Sequence, residues 1–392
     1  MKNLYSDLDA KNCTSEIDLR VYTSNLLGQD DTLVLHGGGN TSVKSVVNGK
    51  DILFVKGSGW DLVSIKAEGF APVELKALKD MAKLDFLSDT DMVAKQKEAM
   101  IDKTAPNPSV EAILHAIIPF KFVDHTHADA VVTISNSKDG IQNIQKVFPN
   151  FLIIPYVMPG FILAQKIYEM SKNLDWNSID GIILHNHGIF TFDNNAKISY
   201  SKMIDAVTKA EEFLDKFAKL NLQDYPKKMI KNIIDFGIEI INMKGSNSIS
   251  IKNQSQIAKN FASQKDLKTF ATRGVLTPEH ILRTKRVPLV LKEGDDIQNE
   301  IKKYKKSYED YFKKFAKDEI MLDSNPNWIV LENFGIISLG KTQKEANIIN
   351  DIINHTIKAI LQADMLGGYQ SINLQDSFNM EYWELEQNKL KS

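Results

Sequence analysis

A chain of 392 residues with 48 Lys+Arg against 50 Asp+Glu, 43% apolar and 25% charged residues has the make-up of a globular protein of one large or two moderate domains. The apolar fraction excludes pervasive disorder, and the single cysteine, Cys13, excludes a disulfide-stapled scaffold. Four arginines and a net charge of −2 exclude the basic balance of a nucleic-acid binder.

The first twenty residues are polar and acidic, without the apolar stretch of a signal peptide, and no window reaches the roughly 18 uninterrupted apolar residues of a membrane span. The expectation is a cytoplasmic protein with no membrane or nucleic-acid partner. Residues 16–27 predict a helix, followed by a short strand over Thr32–Leu35 that runs into His36-Gly37-Gly38-Gly39-Asn40-Thr41-Ser42. A second strand, Ile52–Val55, runs into Lys56-Gly57-Ser58-Gly59. Two neighbouring strands thus end in Gly/Ser/Asn loops, which can aim backbone N–H groups at an anion or simply make tight turns.

Helical spacing of Val73, Leu75, Leu78, Met81 and Leu84 predicts a helix over 72–99. The break at Thr104–Ser109 predicts a helix starting at Val110, capped by Ser109, with Glu111 in its first turn; a carboxylate there commonly complements the helix dipole. His115 lies four residues beyond Glu111 on the same face, where it could orient that carboxylate or merely pack. Residues 122–134 predict a strand with His125 and His127 on one face, and 182–192 a second one carrying His185 and His187, followed by a helix over 196–220. Five of the eight histidines therefore fall between positions 115 and 187. Two His-x-His strands can direct three imidazoles at one point and leave a coordination position open, the arrangement of a catalytic zinc; a structural zinc would want thiolates, and Cys13 is distant in sequence.

Residues 243–267 are Ser/Asn/Gln-rich and predict a loosely packed connection, with a domain boundary near 245: a catalytic domain over 1–245 and an α/β region over 246–392. Beyond it, 329–339 repeats 182–192 at an offset of 147. Ile182/Ile329, Leu184/Leu331, Asn186/Asn333, Gly188/Gly335 and Ile189/Ile336 are identical, whereas Glu332 stands for His185 and Phe334 for His187. The expectation is a degenerate copy of the fold's latter part without metal ligands, packing on the catalytic domain or serving assembly.

The segments HGGGNTS (36–42), VKGSGWDL (55–62), PSVEAILH (108–115), VDHTHADA (123–130) and HNHGIFTF (185–192) resemble, in order, the class II aldolase/adducin family. The likeness is greatest to its branch of fused rhamnulose-1-phosphate aldolase/alcohol dehydrogenases, of which this chain resembles the aldolase part only, and extends to TRGVLTPEHILRTKRVPLV (272–290), LGGYQ (366–370) and FNMEYWELEQNKL (378–390). The resemblance implies an α/β/α sandwich around a mainly antiparallel sheet, with Zn²⁺ or another divalent metal held by His125, His127 and His187. It implies Glu111 as acid/base and Asn40, Ser58, Gly59 and Ser109 around a substrate phosphate. Family members carry a second serine where this chain has Val110, a loss for which Lys44 or Lys56 could compensate. A carboxylate partly closed to water is expected to have its pKa raised toward neutrality. The implied activity is aldol cleavage of a ketose 1-phosphate by a homo-oligomer, with a separate dehydrogenase consuming the aldehyde. Alternatives are an epimerase or dehydratase on the same metal site, and a non-catalytic adducin-like scaffold.

Overall fold

The structure, a computed structural model, describes residues 1–225 and 248–389. The described chain divides into two compact units: residues 1–135 with 139–214 and 388–389, and residues 136–138 with 215–225 and 248–387. The expected boundary near 245 lies outside the described residues.

The first unit is built on a sheet of seven strands: β1 (Asn40–Val47), β2 (Lys50–Lys56), β3 (Phe70–Glu74), β4 (Phe122–Thr126), β5 (Phe151–Ile154), β6 (Gly181–Leu184) and β7 (Gly188–Asp193). Their order is β3-β2-β1-β4-β7-β6-β5, and every neighbouring pair is antiparallel except β5 with β6. Side-chain alternation makes this the middle of a sandwich. Phe54 of β2, Val43 of β1 and Phe122 of β4 pack on one face with Ile17 and Leu19 of the helix Glu16–Gly28 and Ala196 of the helix Ala196–Phe217. Their neighbours Leu53, Val55 and Val123 pack on the other, against the helices Leu75–Met81, Ala112–Ile117 and Phe161–Ser171. Each such Leu, Val or Phe contributes about 1.5–3 kcal/mol on full burial. The expected α/β/α architecture with a mainly antiparallel sheet is the one observed.

Several local expectations are corrected. Thr32–Leu35 is a turn and not a strand, because the Asp30 carboxylate accepts from the Thr32 backbone N–H at 3.0 Å and from its hydroxyl at 2.6 Å. Residues 72–99 hold β3 and two helices, Leu75–Met81 and Asp89–Glu98, the second capped by Ser88. Pro72 is tolerated in β3 because that strand is the sheet edge. The strand expected over 122–134 ends at Thr126, and Asp129–Ser135 is a helix whose Val131, Val132 and Ile134 are all fully buried; burial overrides the strand preference of β-branched residues. Residues 182–192 are the hairpin β6–β7, turning at Asn186 with φ +60°, a left-handed conformation that asparagine tolerates.

In the second unit the polar stretch expected to be loose contains, within its described part, strand β8 (Ile249–Asn253) and the helix Gln256–Ala262, and the helix Leu267–Ala271 begins at its last residue. Two of its polar residues are held in place: Asn253 Nδ2 donates to Asn354 Oδ1 at 2.6 Å, and Ser255 caps the first helix. With β9 (Leu289–Leu291), β10 (Trp328–Leu331) and β11 (Gly335–Gly340) it forms a sheet of order β8-β11-β10-β9. Here β8/β11 and β10/β11 are antiparallel and β9/β10 parallel, the same order and directions as β4-β7-β6-β5. Among the described residues no helix is long and apolar enough to cross a membrane.

Candidate metal centre

Three imidazoles meet where β4 leaves the sheet beside the β6–β7 hairpin. His125 is the fourth residue of β4, His127 lies just past that strand's end, and His187 occupies the hairpin turn. His127 is therefore not on a strand face, and His185 and His187 do not alternate on a strand; the three rings nonetheless converge, with one ring nitrogen of each within 4.8 Å of the others. His125 Nε2 and His127 Nε2 are 3.1 Å apart. Two glycines allow this crowding: a Cβ on Gly188 would lie 2.4 Å from the Thr126 carbonyl oxygen and 2.9 Å from His125 Cε1, and one on Gly38 would lie 3.4 Å from His127 Nδ1. His125 Nδ1 donates to the Ile189 carbonyl at 3.1 Å, which leaves Nε2 with its lone pair facing the other two rings. The His125 ring stacks on Phe190 at 4.0 Å between centroids.

Glu111 stands at the start of the helix Ala112–Ile117, as N-cap and not within the first turn, with Ser109 Oγ accepting its backbone N–H at 3.2 Å. Its Oε2 lies 3.5 Å from His125 Nε2 and its Oε1 3.9 Å from His187 Nε2. Oε2 accepts from Asn40 Nδ2 at 2.6 Å, and Oε1 is buried without a hydrogen-bond partner among the described residues. Burial by itself would raise this carboxyl, but His125, His187 and the Asn40 amide outweigh it and hold it at about 2, in contrast to the rise expected from sequence. Burial, aided by His127 and His187, keeps His125 well below the usual imidazole value against the pull of Glu111. The pocket thus sets the His125 imidazole, disfavoured as a cation, beside the Glu111 carboxylate. Nitrogen ligands at roughly 2.0–2.1 Å from a tetrahedral zinc sit a little over 3 Å apart, which the 3.1 Å spacing satisfies. The three rings and the orphaned carboxylate oxygen fit a divalent cation with an open position.

The anion-binding candidates are placed unevenly. Asn40 opens β1 opposite His125, and its Nδ2 is 3.3 Å from Ser109 Oγ, so these two join the centre. Ser58 and Gly59 are exposed on the loop after β2, and the Ser58 backbone N–H donates to the Asn107 carbonyl at 2.8 Å, two residues before Ser109. Lys44 is engaged by backbone: its ammonium donates to the carbonyls of His115, Ile118 and Phe120 at 2.8, 2.7 and 2.6 Å, while burial pulls its pKa down to about 7. Lys56 is buried and donates to the Gly37 carbonyl at 2.9 Å, joining the two Gly-rich loops. Ser42 was not a candidate from sequence, yet its hydroxyl lies 2.7 Å from His115 Nδ1; its signal is the strand alternation that puts Asn40, Ser42 and Lys44 on one face of β1.

Family models match almost the whole chain. The model for the class II aldolase and adducin N-terminal domain covers residues 19–214, and that for the class II aldolase second domain covers 239–390. The chain is 29% identical to the uncharacterized oxidoreductase YuxG of Bacillus subtilis (strain 168), over 100% of this chain and 60% of that protein's length, so it spans about three-fifths of this curated relative. A solved N-terminal class II aldolase domain of a conserved protein from Thermoplasma acidophilum is 39% identical and covers 55% of this chain and 99% of its own, with a TM-score of 0.51. With the histidines, Glu111 and both Gly-rich loops all inside the matched 19–214 segment, the chain belongs to the class II aldolase and adducin family.

Proposed function

We propose that this protein is a zinc-dependent aldolase that cleaves the C3–C4 bond of a ketose 1-phosphate, with L-rhamnulose 1-phosphate, giving dihydroxyacetone phosphate and L-lactaldehyde, as the substrate of choice. The observation that carries the reading is the convergence of His125, His127 and His187 on a carboxylate, Glu111, whose Oε1 faces them unpartnered. A divalent cation held by the three imidazoles would polarise the substrate carbonyl and offset the negative charge that grows as the bond breaks. Glu111, ionised and held by Asn40, removes the C3 proton of dihydroxyacetone phosphate in the synthetic direction and returns it to C3 after cleavage. Ser58, Gly59 and Ser109, with Asn40 beside them, surround the substrate phosphate. The substrate rests on the resemblance of the sequence to the rhamnulose-1-phosphate aldolase branch. In the same reading the protein is a cytoplasmic homo-oligomer, a separate dehydrogenase removes the aldehyde, and residues 246–392 are a partial copy of the fold that has lost its ligands.

A coupled assay for dihydroxyacetone phosphate over a panel of ketose 1-phosphates, with metal content measured on the same protein, tests this. The expected result is release from L-rhamnulose 1-phosphate by metal-loaded protein, and a loss of about 10²–10⁴-fold in Glu111→Gln at unchanged metal content. A purified protein that takes up no divalent metal would overturn the proposal, and release that persisted in the variant would remove Glu111 from its role.

A further inference from the structure

The polar side chains under the helix Ala112–Ile117 form a chain that metal binding does not require. Ser42 Oγ lies 2.7 Å from His115 Nδ1, His115 Nε2 meets Asn40 Oδ1, and Asn40 Nδ2 donates to Glu111 Oε2 at 2.6 Å. All four residues are buried, Ser42 and His115 completely. The direction of the chain follows from its carboxylate end. Asn40 presents its NH₂ group to Glu111 Oε2 and Ser109 Oγ, so its carbonyl oxygen faces His115. His115 Nε2 must then carry the ring proton, which makes Nδ1 the acceptor of the Ser42 hydroxyl hydrogen. Both hydrogens of Asn40 Nδ2 are engaged, one by Glu111 and one by Ser109 at 3.3 Å. The imidazole stays neutral, because burial drives its pKa down to about 3 against the pull of Glu111, with the charges of Lys44 and Arg20 adding to the fall. Every donor therefore points toward the carboxylate, and the three bonds polarise one another in the same sense.

We propose that Ser42 and His115 are positioning residues: through Asn40 they hold Glu111 by Oε2 and so select Oε1, the unpartnered oxygen beside His187, as the one that exchanges a proton with substrate. The proton-exchange half of this statement rests on the aldolase reading, whereas the direction of the chain does not. His115 also meets Phe190 edge-on at 5.5 Å, so a merely packing role predicts that an apolar replacement serves as well as a polar one.

Two measurements on the full chain test the proposal. Nitrogen-15 NMR of the labelled imidazoles reads the tautomer directly: a neutral His115 ring protonated at Nε2 is expected from pH 5.5 to 8, and a ring protonated at Nδ1 would overturn the direction. Kinetics with His115→Phe, His115→Gln and Ser42→Ala, each at verified metal content, read the consequence. The Phe variant should lose about 100-fold in kcat with KM little changed, while Gln, whose amide can still donate to Asn40, recovers about tenfold of that loss. Equal kcat in the Phe and Gln variants, or a loss confined to KM, would overturn the positioning role. Wild-type protein that releases no dihydroxyacetone phosphate would strike the aldolase reading alone, and the tautomer would still decide the chain's direction.

Discussion

Replacing Arg20 by Met should be among the most damaging single changes in this protein. Arg20 is fully buried on the helix Glu16–Gly28 and donates from Nη2 to Asp124 Oδ1 at 2.5 Å and to Thr23 Oγ1 at 2.6 Å, from Nε to Ser24 Oγ at 3.2 Å, and more distantly from Nη1 to the carbonyls of Ser42 and Val123. Methionine fills much of the volume but leaves Asp124, also fully buried, with the Ser199 hydroxyl at 2.5 Å as its remaining hydrogen-bond donor of those described. Breaking one side of a buried pair costs about 3–5 kcal/mol, most of it from the stranded charge. Little more is added by the hydroxyls, since Ser24 still bonds Thr41 and the carbonyl of residue 20, and Thr23 the Leu19 carbonyl. The magnitude follows from urea unfolding of wild type, Arg20→Met, Asp124→Leu and the double variant. Removing both charges together should recover 1 kcal/mol or more relative to Arg20→Met. An Arg20→Met protein within about 1 kcal/mol of wild type would refute the assignment of a stranded carboxylate. The change should also weaken metal uptake, because Asp124 sits opposite Thr41 in the β1/β4 ladder that places Asn40 against His125.

Acid sensitivity is expected from His115. Its folded pKa of about 3 lies below the free imidazole value of 6.5, so between these values the unfolded chain binds a proton that the folded chain does not, and stability falls as pH drops below 6.5. The slope approaches about 1.4 kcal/mol per pH unit, so the loss between pH 7 and pH 5 should be about 2 kcal/mol smaller in His115→Gln when unfolding is measured at both pH values. An unchanged difference would mean the folded ring takes the proton. Gly188→Ala would push a methyl to within 2.4 Å of the Thr126 carbonyl and against His125, and should lower metal affinity about 10–100-fold by metal titration. Wild-type affinity in that variant would show that the hairpin shifts without moving the ring.

What could be read from sequence was chemistry more than local structure. The two His-x-His segments stood out because so few residue types bind a cation, but the choice of His125, His127 and His187 among their histidines, and of Glu111 as acid/base, rested on the resemblance to the family. The elements carrying them were misread where burial overrode periodicity. Val131, Val132 and Ile134 have strand composition, yet lie in a helix buried on all sides, which moved His127 off the strand. The alternation over 182–192 hid a hairpin signalled by Asn186, which turns in the left-handed region, and by Gly188 after it. Strand alternation could place Ser42 on the face of Asn40, but not its partner, a histidine 73 residues away that the fold brings to within 2.7 Å. His115 was noted for its spacing from Glu111, but its link runs through Asn40, a contact across 75 residues that helical periodicity cannot reveal.

The second sheet separates what the fold demands from what the chemistry demands. Its hairpin keeps the same register, Leu331 opposite Gly335 as Leu184 is opposite Gly188, and the same left-handed turn, Asn333 at φ +58° beside Asn186 at +60°. The glycine is kept for the same reason in both: a Cβ on Gly335 would lie 2.3 Å from the Asn253 carbonyl of β8, as one on Gly188 would lie 2.4 Å from that of Thr126 at the end of β4. Asparagine and glycine are thus requirements of a tight hairpin laid against a neighbouring strand, with or without a metal. The residue between them is free of that requirement. Where the first hairpin has His187 facing Glu111, the second has Phe334, buried with Leu331 and Ile337 in an apolar cluster. A variant placing histidine at position 334 should lose stability by burying a polar ring in that cluster, and should take up no cation there, because among the described residues the group of side chains placed to hold a metal is His125, His127 and His187.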